Sequence, residues 1–180
     1  TLKFNSPALK LVNDWQLLAP QPINVRPDVI TYFAAREYLK AYKPSVLYIA
    51  FDETDDFAHA GEYDQYLKNA HSEDAMLADV WSYIQHSPVY KDKTTLIVTC
   101  DHGRGDKIKA TWRDHGEKIA ESGQIWIAAM GPDTKALGEY KKPQQLYQAQ
   151  LAKTMAAILG FDFKPAHPAF APITTIYTGS

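Results

Sequence analysis

The stretch that decides the fold reads Val46-Leu47-Tyr48-Ile49-Ala50-Phe51-Asp52-Glu53-Thr54-Asp55-Asp56-Phe57-Ala58-His59-Ala60-Gly61. Val46–Phe51 is an unbroken apolar run, the pattern expected of a strand buried on both faces of a sheet. The chain then changes character at once, to carboxylates and an imidazole. Asp55 and His59 are four apart, so one helical turn brings both side chains to one face. A carboxylate beside a neutral imidazole suits zinc or another first-row divalent metal.

Upstream, Pro27–Tyr42 predicts a helix. Pro27 suits a first helical position, and Val29, Ile30, Phe33, Ala34, Tyr38 and Leu39 recur at helical spacing until Lys43-Pro44 stops the pattern. Thr1–Arg26 reads as irregular, broken by Pro7, Pro20 and Pro22. Downstream, Glu62 to about His86 is a long amphipathic helix. Thr94–Thr99 and Gln124–Met130 predict two further buried strands, the second closed by Gly131-Pro132. Gln144–Leu159 predicts a helix capped by Gly160, and the proline-rich tail from Phe161 runs over the surface or ends in a short strand. Buried strands alternating with helices give an α/β class, a three-layer α/β/α sandwich with a mostly parallel sheet. Three strands are few for such a sheet, so part of it is expected outside this chain.

Open α/β sheets bind ligands just beyond the carboxyl ends of their strands. The Thr94–Thr99 strand runs into Asp101-His102-Gly103-Arg104-Gly105-Asp106, so carboxylate and imidazole groups gather at the same sheet edge a second time. His115, in Trp112-Arg113-Asp114-His115-Gly116, can complete a three-ligand site with Asp55 and His59 that leaves a position open for substrate. Plainer readings exist for each part alone: a solvated acidic loop with capping carboxylates at Asp52–Asp56, and an Asp capping local amides at Asp101. Two such pairs at two strand ends, with a third His behind them, are hard to obtain by chance. His71 and His86 read as surface or packing residues, His167 has no evident partner, and Cys100 reads as a small core residue.

Composition bounds the remaining possibilities. The 180 residues carry 19 Lys+Arg against 21 Asp+Glu, which gives no basic face for nucleic acid. One cysteine excludes an internal disulfide framework, and no apolar stretch approaches the length of a membrane helix. The start does not resemble a signal peptide, and a chain opening at Thr1 reads as a processed or excised segment.

Asp55-Asp56-Phe57-Ala58-His59-Ala60-Gly61, then Thr99-Cys100-Asp101-His102-Gly103, then His115-Gly116 ahead of Gln124–Pro132, resemble in order and spacing the metal-binding elements of the alkaline phosphatase superfamily. That superfamily includes nucleotide pyrophosphatases/phosphodiesterases and cofactor-independent phosphoglycerate mutases. The resemblance runs from about Val46 to Pro132, with a looser echo in Gln144–Gly160. It implies two divalent ions, zinc first and manganese as the alternative. Asp55, His59 and His115 would hold one, and Asp101 with His102 the other. It implies two-metal phosphoryl transfer on a small phosphorylated substrate, with the ions activating the nucleophile and neutralising charge on the leaving oxygen.

In the family an upstream Asp and a Thr or Ser nucleophile complete the second site. Nothing before Val46 matches them, and Thr54 follows the wrong strand. Residues 1–180 therefore read as the C-terminal metal-binding part of one such domain, whose missing N-terminal segment is its first partner. Arg104, Lys107 and Arg113 flank the ligands as candidate contacts to substrate phosphate, with loop solvation the alternative for each. Hydrolysis of a phosphate mono- or diester is the leading function. A mutase and a non-catalytic metal-binding module are the alternatives, and the number of His residues argues against a sulfatase. The sequence leaves the compartment open, and family analogy favours a periplasmic or secreted parent protein.

Overall fold

The structure is a computed structural model and describes residues 6–18 and 26–177. Pro7–Leu18 forms helix α1, where irregular chain was expected. Pro7 is a helix starter here: a proline gives up no intrahelical hydrogen bond in the first turn, and the Ser6 hydroxyl accepts from Leu9 N at 3.4 Å. Pro20 and Pro22 lie outside the described residues. Helix α2, Asp28–Tyr42, follows the sequence expectation, with Pro27 one position earlier as the cap. Helix α3 is Glu53–Ala60, and α4 is Tyr63–His86.

The helices pack because their apolar stripes coincide. Leu39 of α2 and Val80 and Ile84 of α4 are buried with Tyr90, and Tyr32, Leu47, Trp81 and Tyr83 close around them. Burying side chains such as Val80 and Ile84 contributes about 1.5–3 kcal/mol each. At the edge of this core Asp79 accepts from Tyr32 Oη and Arg36 Nε, both at 2.6 Å, and the two bonds hold its carboxyl below the usual range.

Val46–Phe51, expected as a strand, forms no helix and pairs with no strand among the described residues. Its burial alternates: Leu47, Ile49 and Phe51 are half-buried, while Val46, Tyr48 and Ala50 are exposed, Tyr48 at 85%. On one face Leu47 packs against the α2 and α4 core, while the other face stays open among the described residues. Strands β1 (Leu96–Thr99) and β2 (Ile127–Met130) form a two-stranded antiparallel sheet with Leu96 opposite Met130 and Thr99 opposite Ile127. The chain is thus an α/β arrangement of helices with a small antiparallel sheet, and a mostly parallel three-layer sandwich is not formed by the described residues. The connection explains the strand direction. A parallel return needs a crossover, usually a helix packed across the sheet, but residues 100–126 carry only the short 3-10 turns Lys109–Arg113 and Ala120–Gly123. β1 is half-buried throughout and β2 alternates between half-buried and exposed residues, unlike the fully buried runs expected.

Helix α5 spans Leu151–Ile158, shorter than Gln144–Leu159. Its start is fixed by Gln150, whose side-chain oxygen accepts from Tyr147 N at 2.9 Å and leads into the 3-10 turn Gln148–Gln150. The tail forms no strand among the described residues: the buried Thr154 hydroxyl takes Ile173 N at 2.9 Å and ties it to α5. No described helix is long and apolar enough to cross a membrane.

Candidate metal centre

Helix α3 does what the four-residue spacing requires. His59 Nε2 lies 3.2 Å from Asp55 Oδ2 on one helical face. Gly61 ends the helix in the left-handed region at φ +79°, and Glu62 N reaches back to Phe57 O at 2.9 Å, so the chain turns away directly behind His59.

The loop after β1 meets that face. Asp101, His102 and Gly103 follow the strand, and a Cβ on Gly103 would run into the carbonyl oxygens of Glu121 and Gln124, which only glycine avoids. His102 Nδ1 is 3.0 Å from Gly103 O. A carbonyl only accepts, so Nδ1 carries a proton, and Nε2 lies 3.5 Å from Asp55 Oδ1. His115 Nε2 lies 3.6 Å from the same oxygen and 3.1 Å from His59 Nε2. The rings of His102 and His115 stack with centroids 3.6 Å apart.

Asp55, His59 and His115 thus present one ligand atom each within 4.8 Å of one another, from a helix and a distant loop. Two imidazole nitrogens facing one another beside a carboxylate need a cation or a proton between them. The set of one carboxylate and two imidazoles fits a first-row divalent ion.

His102 joins this group more closely than it joins Asp101. The Asp101 side chain is 85% exposed, accepts from its neighbour's N–H at 3.0 Å and lies 3.6 Å from His102 Nε2. The flanking cations are tied down. Arg104 pairs with the Asp55 carboxylate and donates to Asp55 O at 3.3 Å and Arg113 O at 3.2 Å. Arg113 donates to His59 O through Nη2 at 2.7 Å and Nε at 3.2 Å. Both therefore lash the loop to α3. Lys107 pairs with Glu121 at 2.9 Å.

No local pattern signals what lies behind α3. Asp28, the first residue of α2, is 1% exposed, and its carboxylate accepts from Asp52 N at 2.8 Å, Glu53 N at 3.2 Å and Asn69 Nδ2 at 2.9 Å. Glu53 returns the contact, its Oε2 taking Asp28 N at 2.6 Å. The two acidic first-turn residues thus cap one another's helices. A capping partner 24 residues upstream leaves no local pattern to read. Asn69 also donates to Glu73 Oε1 at 2.8 Å.

Burial first, then the Asp28 charge, pushes the Glu73 carboxyl from its ordinary 4.5 up to about 7. Between those two values the folded chain holds a proton that the unfolded chain releases, so stability falls as pH rises through that window. Thermal melts of the parent chain should lose stability from about pH 5 to pH 7.5. The Glu73→Gln variant keeps the hydrogen bonds without the charge and should flatten that dependence; identical pH profiles would contradict the assignment.

A family model described as type I phosphodiesterase / nucleotide pyrophosphatase matches residues 3–165, a span that holds every residue of the centre. No curated protein and no solved structure matches the chain. By that match over most of its length, the chain belongs to the type I phosphodiesterase / nucleotide pyrophosphatase family of the alkaline phosphatase superfamily.

Proposed function

We propose that the chain supplies the metal-binding part of a hydrolase acting on a small phosphate mono- or diester. The family is one of phosphoryl-transfer hydrolases and is typically metal-dependent. The observation that carries the reading is the convergence of His59, His102 and His115 nitrogens on the Asp55 carboxylate, within 3.2–3.6 Å of its oxygens. Asp55, His59 and His115 hold one divalent ion, zinc or alternatively manganese, and Asp101 with His102 contributes to a second. Bound ions would supply charge neutralisation for an in-line displacement at phosphorus.

The chain's own residues do the orienting. Gly103 O fixes the His102 tautomer, and Arg104 and Arg113 hold the loop against α3. Lys107, with a side chain 76% exposed, is the flanking cation freest to meet a substrate phosphate. The nucleophile comes from a part of the domain outside residues 1–180, and that part adds the strands of the parallel sheet. The bare face of Val46–Phe51, which leads straight into α3, supports this.

The test is to assay the domain together with its upstream segment on bis-nitrophenyl phosphate and on nitrophenyl phosphate, with zinc or manganese and after chelation. Metal-dependent release of nitrophenol from at least one ester is expected. Transfer of phosphate between the hydroxyls of phosphoglycerate without ester hydrolysis would replace this reading with a mutase.

A further inference from the structure

We propose that Asp28 is a positioning residue for the metal centre, which locks the N-terminus of α3 and thereby sets where Asp55 and His59 stand relative to His115. The inference rests on the metal-site reading above.

Helix α3 has only eight residues and no side-chain cap of its own. Helices this short do not persist unaided, because nucleation is costly and few hydrogen bonds follow it. Its geometry must therefore be imposed from its ends and flanks. The C-terminal end is closed by Gly61. At the other end, the first N–H groups would be orphaned without an acceptor, and the one provided is the Asp28 carboxylate, at 2.8 Å from Asp52 N and 3.2 Å from Glu53 N. Asp55 lies one helical turn beyond Asp52, and its N–H bonds Asp52 O at 3.0 Å. A shift of the Asp52 peptide therefore moves the ligand carboxylate directly.

Asp28 is itself held from two other elements. Glu53 of α3 accepts from its N–H, and Asn69 of α4 donates to its Oδ2, so Asp28 is braced against both α3 and α4. His115 arrives on a separate loop, so its distance to His59 depends on where α3 is anchored. The first turn of α3 also carries Glu53, Asp55 and Asp56, and the buried Asp56 Oδ2 has no hydrogen-bond partner. That turn holds its place against the mutual repulsion of its carboxylates.

The experiment measures zinc affinity and melting temperature together for Asp28→Ala, Asp28→Asn, Ile84→Ala and His59→Ala. Ile84 is a buried core residue of α4 outside this network and serves as the stability control. Asp28→Ala should weaken zinc binding about 10–100-fold, the range for residues that orient metal ligands. Ile84→Ala should lower the melting temperature while leaving zinc affinity within about 3-fold, since it removes packing only. Asp28→Asn retains a carbonyl acceptor for one of the two N–H groups and should fall between Asp28→Ala and the parent. If Asp28→Ala does not fold, a weakening by Asp28→Asn that Ile84→Ala does not share carries the same conclusion. Equal zinc affinity in the Asp28 variants and Ile84→Ala would overturn the positioning role, provided His59→Ala loses zinc. If His59→Ala also binds normally, the metal site itself is misassigned.

Discussion

Tested alone, the 180-residue chain should hydrolyse neither nitrophenyl phosphate nor bis-nitrophenyl phosphate at an enzymatic rate, with turnover well below about 1 per second in zinc or manganese. Covalent phosphoryl transfer needs a hydroxyl positioned beside the ion that activates it. The hydroxyls around the centre are engaged elsewhere. Thr54 bonds to Glu73, Thr111 Oγ1 donates to Ile108 O at 2.8 Å, and Thr99 Oγ1 donates to Trp126 O at 2.7 Å. Ser122 Oγ accepts Gly116 N at 2.8 Å. The second pair of ligands, Asp101 and His102, stands 3.6 Å apart with the Asp101 side chain 85% exposed, and two donors alone hold an ion weakly. On the proposal that the nucleophile lies outside residues 1–180, adding the segment that carries it should raise turnover into the usual enzymatic range. Metal-dependent turnover of the isolated chain near 1 per second, abolished by Asp101→Ala, would show that the nucleophile lies within these residues.

The second large effect is on metal uptake. His59→Ala should weaken zinc binding by more than about 100-fold, beyond what outer-shell changes cause, because it removes one of three donors and leaves Asp55 and His115 on separate elements. Asp101→Ala should change zinc affinity of the isolated chain little, since its carboxylate is exposed and bonds only within its own dipeptide. Equilibrium dialysis of the two variants beside the parent gives the comparison. Equal uptake by His59→Ala and the parent would remove His59 from the site.

Periodicity made much of this legible. The α4 helix begins one residue after the expected Glu62 and ends at His86, because a long apolar stripe has a single period that fits. Asp55 and His59 meet because a four-residue spacing becomes a contact once the local chain is helical. Strand cores were readable at Leu96–Thr99 and Ile127–Met130, but pairing was not, since strand direction depends on the intervening chain and on neighbouring strands. The same limit applies to Val46–Phe51: an apolar run states what should be buried and not by which partner. Pro7 reads as a breaker yet starts α1, because proline stops a helix from inside and starts one from its first turn. Asp28 stayed hidden because its role arises from contacts to Asp52, Glu53 and Asn69, which only tertiary packing brings together. The grouping of His102 with His115 is likewise a product of how the loop folds back.

In the proposed centre Asp55, His59 and His115 hold a divalent ion through side chains that already face one another. The most direct measurement is a zinc titration followed by imidazole nitrogen resonances, with the six histidines assigned individually. The Nε2 resonances of His59 and His115 should move together and saturate near one equivalent, while His71, His86 and His167 stay unchanged, as about one tight site requires. Shifts confined to His71, His86 or His167, or no saturable shift at His59 and His115, would contradict it.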